Sequence, residues 1–270
     1  MQKSDSSISP DPQHCLRVCH IASGDLWGGA EAQLFTLAKT QHQSSDISVS
    51  LVLMNDGELA QRLREAGIDV LCLDESSSNP LQLVQQIRRF LKTKQADILH
   101  SHRQKENVLG SIANLLSANA KSVRTQHGAA EYNLSFAQQL ADSADYFVGR
   151  YLQKQVIAVS ADLRSKLLQR FPANHISTIV NGLDIEQVQQ NASENPDSLG
   201  THRKHQNVGF VGRLEPVKRV DIFLEIAQRL ASEHCAFHIF GDGALAEEIG
   251  SQASQLNQAL GFEFERFHLY

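Results

Sequence analysis

Short apolar runs, rich in β-branched residues, alternate along this chain with longer stretches in which apolar residues recur every three or four positions. This alternation predicts parallel strands covered by helices, and therefore the α/β class. The strands predicted in the amino-terminal part are Leu16–Ile21, Ile47–Met54, Asp69–Leu73, Ile98–Ser101, Ser122–Gln126, Val156–Ser160 and Ser177–Val180. The helices predicted between them are Ala30–Thr40, Glu58–Ala66, Leu81–Lys94, Asn107–Ala118, Phe136–Ala144 and Ala161–Phe171.

A polar stretch then interrupts the pattern. Residues 187–206 are rich in Gln, Asn and Ser without apolar periodicity, which is typical of a linker with a polar insertion. A second α/β unit follows, with strands Val208–Val211 and Ala236–Phe240, helices Pro216–Ala231 and Leu245–Leu260, and a further candidate strand within Gly261–Tyr270. The predicted division is a disordered tail over 1–13, an amino-terminal domain over 14–186, a linker over 187–206 and a partial domain over 207–270. Because a domain typically needs roughly 100–150 residues, we expect either a fragment or a degenerate second half.

Composition excludes several classes of protein. The net charge of -5 and the 6% of aromatic residues give no general case for nucleic-acid binding, and no apolar run approaches the ~20 residues of a membrane span. The polar start of the chain lacks the features of a signal peptide. The four cysteines form no CxxC pair, which favours reduced thiols in a cytoplasmic protein.

Two strand–turn–helix segments are candidates for phosphate binding. Gly28-Gly29 precedes the first predicted helix, and glycines there let a ligand approach backbone N–H groups. A plain β–α turn that needs glycine for its geometry is the equally weighted alternative. The spacing is not G-x-G-x-x-G, so a dinucleotide fingerprint is weak.

The second segment, Gly212-Arg213 to Lys218, adds two cations to the glycine turn. With Pro216 as the first helical residue, Lys218 would lie in the first turn and oppose the helix dipole, which often marks a site. Arg213 and Lys218 would then converge on an anion, although two solvated cations are the alternative. Gly241-Asp242-Gly243 follows the next strand, and we expect it at the same rim of the sheet.

Histidines follow two strands of the first half. His127 lies at the carboxyl end of a predicted strand, where open α/β sheets bind ligands, and could donate a hydrogen bond to a substrate hydroxyl or phosphate. His100 and His102 share one strand face, and without a supporting carboxylate or cysteine we expect no metal site, although His102 is a candidate for lining the cleft. Asn181-Gly182 is predicted as a turn with positive φ at Gly182, and Asn181 is a second candidate for the cleft.

Taken in chain order, these motifs resemble the family 4 glycosyltransferases of the GT-B fold. The resemblance extends from Leu16 to about Ala259. Its markers are Gly28-Gly29-Ala30-Glu31, Thr125-Gln126-His127-Gly128, Ile157-Ala158-Val159-Ser160, Ile179-Val180-Asn181-Gly182-Leu183-Asp184, Val211-Gly212-Arg213-Leu214 with Lys218, and Phe240-Gly241-Asp242-Gly243.

The resemblance implies two Rossmann-like domains facing a cleft, the second incomplete. It implies transfer of a sugar from a nucleotide-diphosphate donor to a saccharide or lipid-linked acceptor, with retention, without a metal ion and without a cofactor, in cell-envelope polysaccharide or lipopolysaccharide synthesis. Arg213 and Lys218 would hold the diphosphate, and His127 would lie near the donor sugar. The implied phosphate-binding glycines are Gly28, Gly29, Gly212, Gly241 and Gly243.

The chain departs from the family pattern in one respect. A Glu-Gly-x-Pro…Glu-Ala segment, whose glutamates hold the donor sugar and ribose in the family, is absent before the chain ends at Tyr270. A non-catalytic remnant or binding module is therefore an alternative function. An NAD(P)-dependent oxidoreductase, with Asp56 as the ribose-binding acid, is a third hypothesis that the glycine spacing disfavours.

One helix raises the question of membrane contact. The predicted helix Leu81–Lys94 carries Arg88, Arg89, Lys92 and Lys94 beside apolar residues. Such a helix could lie on an anionic membrane surface, which would make the protein peripheral at the inner face of the membrane. An ordinary solvated helix face is the preferred interpretation.

Overall fold

The structure is a computed structural model that describes residues 15–117, 120–128, 136–194, 206–230, 235–260 and 266–267. The chain divides into two compact units, Met1–Ile185 and Glu186–Tyr270. The predicted tail over 1–13 lies outside the described residues. Within the described part of the chain, no helix combines the length and the apolar character needed to cross a membrane.

The first unit is built on a seven-stranded parallel sheet. Its strands are β1 (Leu16–Ala22), β2 (Ile47–Leu53), β3 (Asp69–Cys72), β4 (Ile98–Ser101), β5 (Lys121–Gln126), β6 (Gln155–Ala158) and β7 (Ile176–Thr178). They lie in the order β3-β2-β1-β4-β5-β6-β7 and pair in parallel throughout. This is the doubly wound arrangement, in which the strand order reverses between β1 and β4.

Six helices connect these strands, and a seventh follows β7. They are α1 (Gly29–His42), α2 (Glu58–Glu65), α3 (Pro80–Lys94), α4 (Gln104–Leu115), α5 (Phe136–Tyr151), α6 (Ala161–Leu167) and α7 (Ile185–Glu194). Local signals fix several starts. Asn79 forms a reciprocal capping box with Gln82 ahead of Pro80, and the Ser160 side chain accepts a hydrogen bond from the N–H of Leu163.

The strands alternate their side chains between two hydrophobic layers. Ile21, Val52 and Leu99 pack on one face, with α3 and the Ala113 position of α4. On the other face, the strand residues Leu51 and Leu53 pack against α1 and α2. Parallel strands covered by helices on both faces explain why their apolar runs are nearly continuous.

The second unit includes all but the first residue of α7, followed by a small parallel sheet with two helices. Its strands β8 (Gln206–Val211), β9 (Cys235–Phe240) and β10 (Arg266–Phe267) lie in the order β10-β9-β8, and its helices are α8 (Val220–Arg229) and α9 (Ala246–Leu260). Leu214, Val220, Ile239 and Ile249 are at the centre of its core. The two parallel sheets confirm the predicted α/β class with a small second unit.

Two predictions for the carboxyl-terminal part of the chain differ from the structure. The stretch assigned to a linker begins inside helix α7. The apolar residues Ile185 and Val188 of this helix are exposed. The helix predicted over Pro216–Ala231 is divided: a 3₁₀ turn over Pro216–Lys218 ends at Arg219, which has φ 52°, before α8 begins. Residues 195–205 of the predicted linker, and all of Gly261–Tyr270 except β10, lie outside the described residues.

Candidate functional site

The candidate site lies at the carboxyl ends of β1, β4 and β5. In a doubly wound sheet, the connections leave on opposite faces where the strand order reverses, and a crevice forms at that point. The reversal between β1 and β4 brings together the start of α1, the end of β4 and the end of β5. Each contributes polar groups to this edge.

The start of α1 has no side-chain cap on its backbone N–H groups. Gly28 is extended, with φ -147° and ψ -172°, and no side chain caps the helix. Gly29 also lacks a positive φ, and a Cβ added there would meet nothing within 4 Å. Neither glycine is therefore required by backbone geometry, and at Gly29 no packing requires one either. This disfavours the interpretation of Gly28-Gly29 as a plain turn and leaves room for a ligand.

The glycines that the turn itself needs lie elsewhere. Gly24 has φ 80°, and a Cβ on Gly57 would lie 2.3 Å from the carbonyl oxygen of Gly24. These two residues let the loops after β1 and β2 pack against each other. Two charged side chains complete this part of the edge: Glu31, which is buried in the first turn of α1, forms an ion pair with Arg103 at the start of α4.

Four histidines lie on the α1 face of the sheet at this edge. His20 of β1 is paired in register with His100 of β4, and His102 and His127 follow β4 and β5. The Nδ1 atom of His20 is 3.0 Å from Nε2 of His102, and Nδ1 of His102 is 3.3 Å from Nε2 of His127. Beyond them, Nε2 of His20 is 2.7 Å from Oε1 of Gln41 on α1. His100 stacks on His102, and its Nε2 is 2.8 Å from Oγ1 of Thr125.

Burial keeps these imidazoles uncharged. His20, His100 and His102 are buried, and desolvation lowers the pKa of His20 from 6.5 to about 4. The pKa values of His100 and His102 lie well below the usual range for the same reason, and neighbouring histidines lower them further. The pKa of half-buried His127 is also lowered, first by desolvation, with Glu31 raising it and Arg103 lowering it.

His100, His102 and His127 border a pocket of about 400 Å³ between α1 and strands β4 to β7. Leu37, Ile157 and Val159 give it an apolar wall, while His102 and His127 provide polar groups. Asn181 and Gly182 line it as well, so the structure brings His127 together with both candidates for the cleft.

Gly182 has a different role from the predicted one. It is not among the glycines with positive φ, so the turn prediction was wrong. Its carbonyl oxygen accepts a hydrogen bond from Nε2 of Gln33 on α1, at 3.0 Å. This contact ties the segment after β7 to the helix that forms the opposite wall of the pocket.

Three of the histidines come close enough to raise the question of a metal ion. Ring nitrogens of His20, His100 and His102 all lie within 4.8 Å of one another. Two of these nitrogens already face each other at hydrogen-bonding distance, between His20 and His102. His100 in turn bonds the Thr125 hydroxyl through its Nε2.

The second unit brings its three candidate glycines together. The N–H of Gly212 donates to the carbonyl of Phe240 at 3.0 Å, and the N–H of Leu214 donates to that of Asp242 at 2.8 Å. A Cβ on Gly241, which has φ 150°, would lie 1.9 Å from the carbonyl oxygen of Gly212. A Cβ on Gly243 would lie 2.7 Å from that of Leu214, so these glycines allow two turns to lie in contact at one rim.

The predicted cations lie beside these turns with one correction. Arg213 follows β8 and Lys218 lies on the 3₁₀ turn; both are exposed and make no ion pair among the described residues. The prediction placed Lys218 in the first turn of the helix, which is wrong. The left-handed backbone of Arg219 separates the 3₁₀ turn that carries Lys218 from α8. Arg219 forms an exposed ion pair with Asp221, at 2.9 Å.

Sequence reasoning missed His20, Gln41 and Arg103. The signal for His20 was a polar residue inside an apolar strand. Its place beside His100 is known only from the structure. Gln41 and Arg103 carried no such signal, since their partners lie 21 and 72 positions away in the chain.

Comparison with known proteins gives a consistent picture. The family described as Glycosyltransferase Family 4 matches residues 27–187, more than half of the chain. The "UDP-Gal:alpha-D-GlcNAc-diphosphoundecaprenol alpha-1,3-galactosyltransferase" of Escherichia coli is 23% identical over 251 residues. That alignment covers 87% of this chain and 64% of the E. coli protein, so the chain spans less than two thirds of that relative.

Solved structures share the fold at low sequence identity. Anabaena HepE in complex with UDP-glucose has a TM-score of 0.72 at 21% identity, covering 94% of this chain and 69% of that one. The UDP-GlcNAc 2-epimerase of Neisseria meningitidis, bound to UDP-GlcNAc, has a TM-score of 0.65 at 12% identity, covering 94% and 72%. Since a protein named as an epimerase has this fold too, the fold alone does not select sugar transfer.

Proposed function

We propose that this chain, which belongs to glycosyltransferase family 4, transfers a sugar from a nucleoside-diphosphate donor to a lipid-linked saccharide, with retention of configuration and without a metal ion. The observation that carries this proposal is the pair Gly28-Gly29 at the start of α1. Gly29 faces open space, and neither residue has a backbone conformation that demands glycine. A helix start whose N–H groups stand free at a sheet reversal suits a phosphate.

The second unit carries its own candidate for binding a diphosphate. Arg213 and Lys218 are exposed beside the two turns that Gly212, Gly241 and Gly243 hold in contact. We assign them to the donor diphosphate, whose negative charge increases as the bond to the sugar breaks. Fixed cations at that point stabilise the leaving group without a divalent ion. The sequence has no Asp-x-Asp pair of the kind that often holds such an ion.

The acceptor is assigned to the pocket beside His127. Its wall combines aliphatic side chains such as Leu37 and Ile157 with hydrogen-bonding groups such as Asn181. Sugars present both apolar ring faces and hydroxyls, which match such a wall. A lipid-linked acceptor is suggested by the name of the E. coli relative. A lipid-linked acceptor would bring the protein to a membrane surface. Arg88 and Arg89 of α3 are exposed and could contact an anionic surface, whereas Leu91 is buried in the core.

Turnover is the direct test. UDP-galactose and UDP-glucose are incubated with a polyprenyl-diphosphate-linked N-acetylglucosamine, with and without EDTA, and release of UDP is followed. We expect release of UDP that depends on the acceptor and that EDTA does not change. The NMR spectrum of the product should show the anomeric configuration of the donor, because the proposed transfer retains it. Release that requires a divalent ion would contradict the metal-independent mechanism. Binding of either donor without transfer to any saccharide would favour the binding-module alternative.

Gly29→Ala separates a ligand role from a structural one. Alanine at this helical position should raise the free energy of unfolding by about 0.5–1 kcal/mol, because the fold does not need glycine there. The same methyl group would enter the space that we assign to the donor phosphate, so turnover should fall at least tenfold. A variant that is destabilised, or one that keeps full turnover, would contradict the phosphate site.

A further inference from the structure

The hydrogen bonds among the buried histidines form one continuous chain. It runs from Gln41 on α1 to His20, then His102, then His127, with separations of 2.7, 3.0 and 3.3 Å between the bonded atoms. Both ring nitrogens of His20 and of His102 take part in it. His127 is bonded through Nε2 alone, and Nδ1 has no protein partner among the described residues.

A series of hydrogen bonds between neutral imidazoles has a direction, from donor to acceptor. A neutral imidazole has one N–H and one bare nitrogen, so each histidine that bonds on both sides donates on one and accepts on the other. Burial and the lowered pKa values keep His20 and His102 neutral. All N–H groups of the chain must therefore point the same way, and the group at its end sets the direction.

Gln41 is that end group. Its carbonyl oxygen faces Nε2 of His20, so His20 donates there and its Nδ1 accepts. His102 then donates from Nε2 to His20 and accepts at Nδ1, and His127 donates from Nε2. Nδ1 of His127 is left as a bare hydrogen-bond acceptor.

We propose that Gln41, His20 and His102 are positioning residues that fix the tautomer of His127, so that its Nδ1 accepts a hydrogen bond from a substrate hydroxyl. The inference rests on the proposed function for the identity of the substrate, and on the hydrogen bonds alone for the tautomer. It excludes a direct bond from neutral His127 to an anionic phosphate oxygen, because a bare nitrogen cannot donate. His127 therefore accepts a hydrogen bond from a sugar hydroxyl and does not donate one to a phosphate.

The surroundings of His127 support a neutral acceptor. The charged groups that act on it are Glu31 and Arg103, which are paired with each other, and its other close contact is the neutral ring of His102. Desolvation is the largest influence on the pKa of His127 and lowers it. The ring therefore remains uncharged near neutral pH.

Long-range ¹H–¹⁵N spectra of protein labelled with ¹⁵N-histidine report each tautomer directly. Variants His20→Gln, His102→Gln and His127→Gln assign the signals. In the unmodified chain we expect His20, His102 and His127 all to carry the proton on Nε2. A proton on Nδ1 of His127 would overturn the inference.

Substitutions at Gln41 test the direction, since a free imidazole also favours the Nε2–H form. The ammonium group of Gln41→Lys can only donate, so it should reverse all three tautomers and put the proton of His127 on Nδ1. The carboxylate of Gln41→Glu can only accept and should leave the direction unchanged. Gln43→Lys, at an exposed residue two positions further along, is the matched control. A His127 signal that is the same in Gln41→Lys and Gln43→Lys would overturn the relay.

Kinetics separate the relay from the proposed function. With UDP-galactose and the lipid-linked acceptor, Gln41→Lys should lower kcat/KM about tenfold, as expected for one lost hydrogen bond, while Gln43→Lys should not. Reversed tautomers with unchanged kcat/KM would refute the hydroxyl contact and leave the proposed transfer intact. If no variant or parent chain transfers sugar, the spectra still decide the tautomer.

Discussion

The two faces of the seven-stranded sheet bury polar side chains in different ways. On the α5 face, Arg124 of β5 and Asp145 of α5 form a buried ion pair at 2.6 Å, and Asn107 of α4 donates to the same carboxylate at 2.9 Å. On the α1 face, the buried polar side chains of β1 and β4 include neutral histidines, and His20 is bonded to His102, which follows β4. None of the ion-pair residues lines the pocket, whereas His102 does.

Under the proposed relay, this difference separates a structural network from one that acts on the substrate. Opposite charges that are buried together satisfy each other but stabilise little in total, and they serve to fix one packing of α4 and α5 on the sheet. Neutral imidazoles that end at a pocket leave one ring nitrogen available, at His127. The charged network continues along β5, where Arg124 binds Gln126 and Gln126 donates to the carbonyl of Gly128 at 2.7 Å.

The largest expected effect is on the charged network. Asp145→Ala leaves the Arg124 guanidinium buried without its counter-ion, so the free energy of unfolding should fall by about 3–5 kcal/mol. Urea denaturation measures this. Asp142→Ala is the control on the same helix, because it breaks an exposed ion pair with Arg170 and should cost less than about 1 kcal/mol. Equal losses in the two variants would show that burial of the first pair has no special cost.

The exposed cations of the second unit offer the opposite case, charge without a protein partner among the described residues. Arg213→Ala and Lys218→Ala should each lower kcat about 10²–10³-fold, because each removes a fixed charge from the assigned diphosphate site. The free energy of unfolding should change by less than about 0.5 kcal/mol. Arg229→Ala, on the exposed face of α8 near Glu225, is the control for both measurements. Near-normal turnover in both site variants would remove the role assigned to them.

The comparison also explains how much the sequence could predict. The strands of the first unit follow from their apolar runs, and Ile98–Ser101 was predicted to the residue. Helix α5 continues seven residues beyond the predicted end at Ala144. In this extension, Asp145 pairs with the buried Arg124. A Cβ added to Gly149 would lie 3.1 Å from the ring of Phe171, so the helix packs closely there. A charged residue and a glycine both argue against a buried helix until the long-range contacts are known.

The site was predicted only in part for the same reason. His127, His102 and Asn181 could be placed because strand ends are readable from the pattern, and the structure brings them to one pocket. The bond between His20 and His102 joins positions 82 residues apart, which no local pattern encodes. The left-handed backbone at Arg219 moved Lys218 out of the helix, and a non-glycine residue with positive φ is equally invisible in the sequence.

Acid should weaken the α1 face through its histidines. The pKa of His20 is about 6.5 in the unfolded chain and about 4 in the folded one, so between these values only the unfolded chain binds the proton. The free energy of unfolding therefore falls as the pH falls through this window, by about 3 kcal/mol from His20 alone. Below about pH 4 its contribution is constant. The stabilising contribution of His20 is fully present only above pH 6.5.

Substitution of His20 isolates that contribution. His20→Gln should flatten the dependence of unfolding free energy on pH between 6.5 and about 4, although it lowers stability at pH 7. Buried Glu106, whose pKa is raised by desolvation, acts in the opposite direction, but it is present in both proteins and cancels. His42→Gln, at the exposed end of α1, is the control. Identical pH profiles for His20→Gln and the parent chain would mean that His20 takes up its proton in the folded state as well.

The smallest of these effects is expected at the open end of the histidine chain. His127→Ala removes the group that faces the pocket, so kcat/KM should fall about tenfold, as expected for one lost hydrogen bond. The free energy of unfolding should change by less than about 1 kcal/mol, because the ring is only half-buried. His175→Ala is a matched control, since His175 is also half-buried in the first unit, binds the carbonyl of Gly149 at 2.8 Å and lies outside the pocket lining. His127→Gln should recover part of the activity, because its amide oxygen can accept one hydrogen bond. If His127→Ala instead loses stability with unchanged kcat/KM, then the α1 face buries its polar groups for structure, as the α5 face does, and the distinction between the two faces fails.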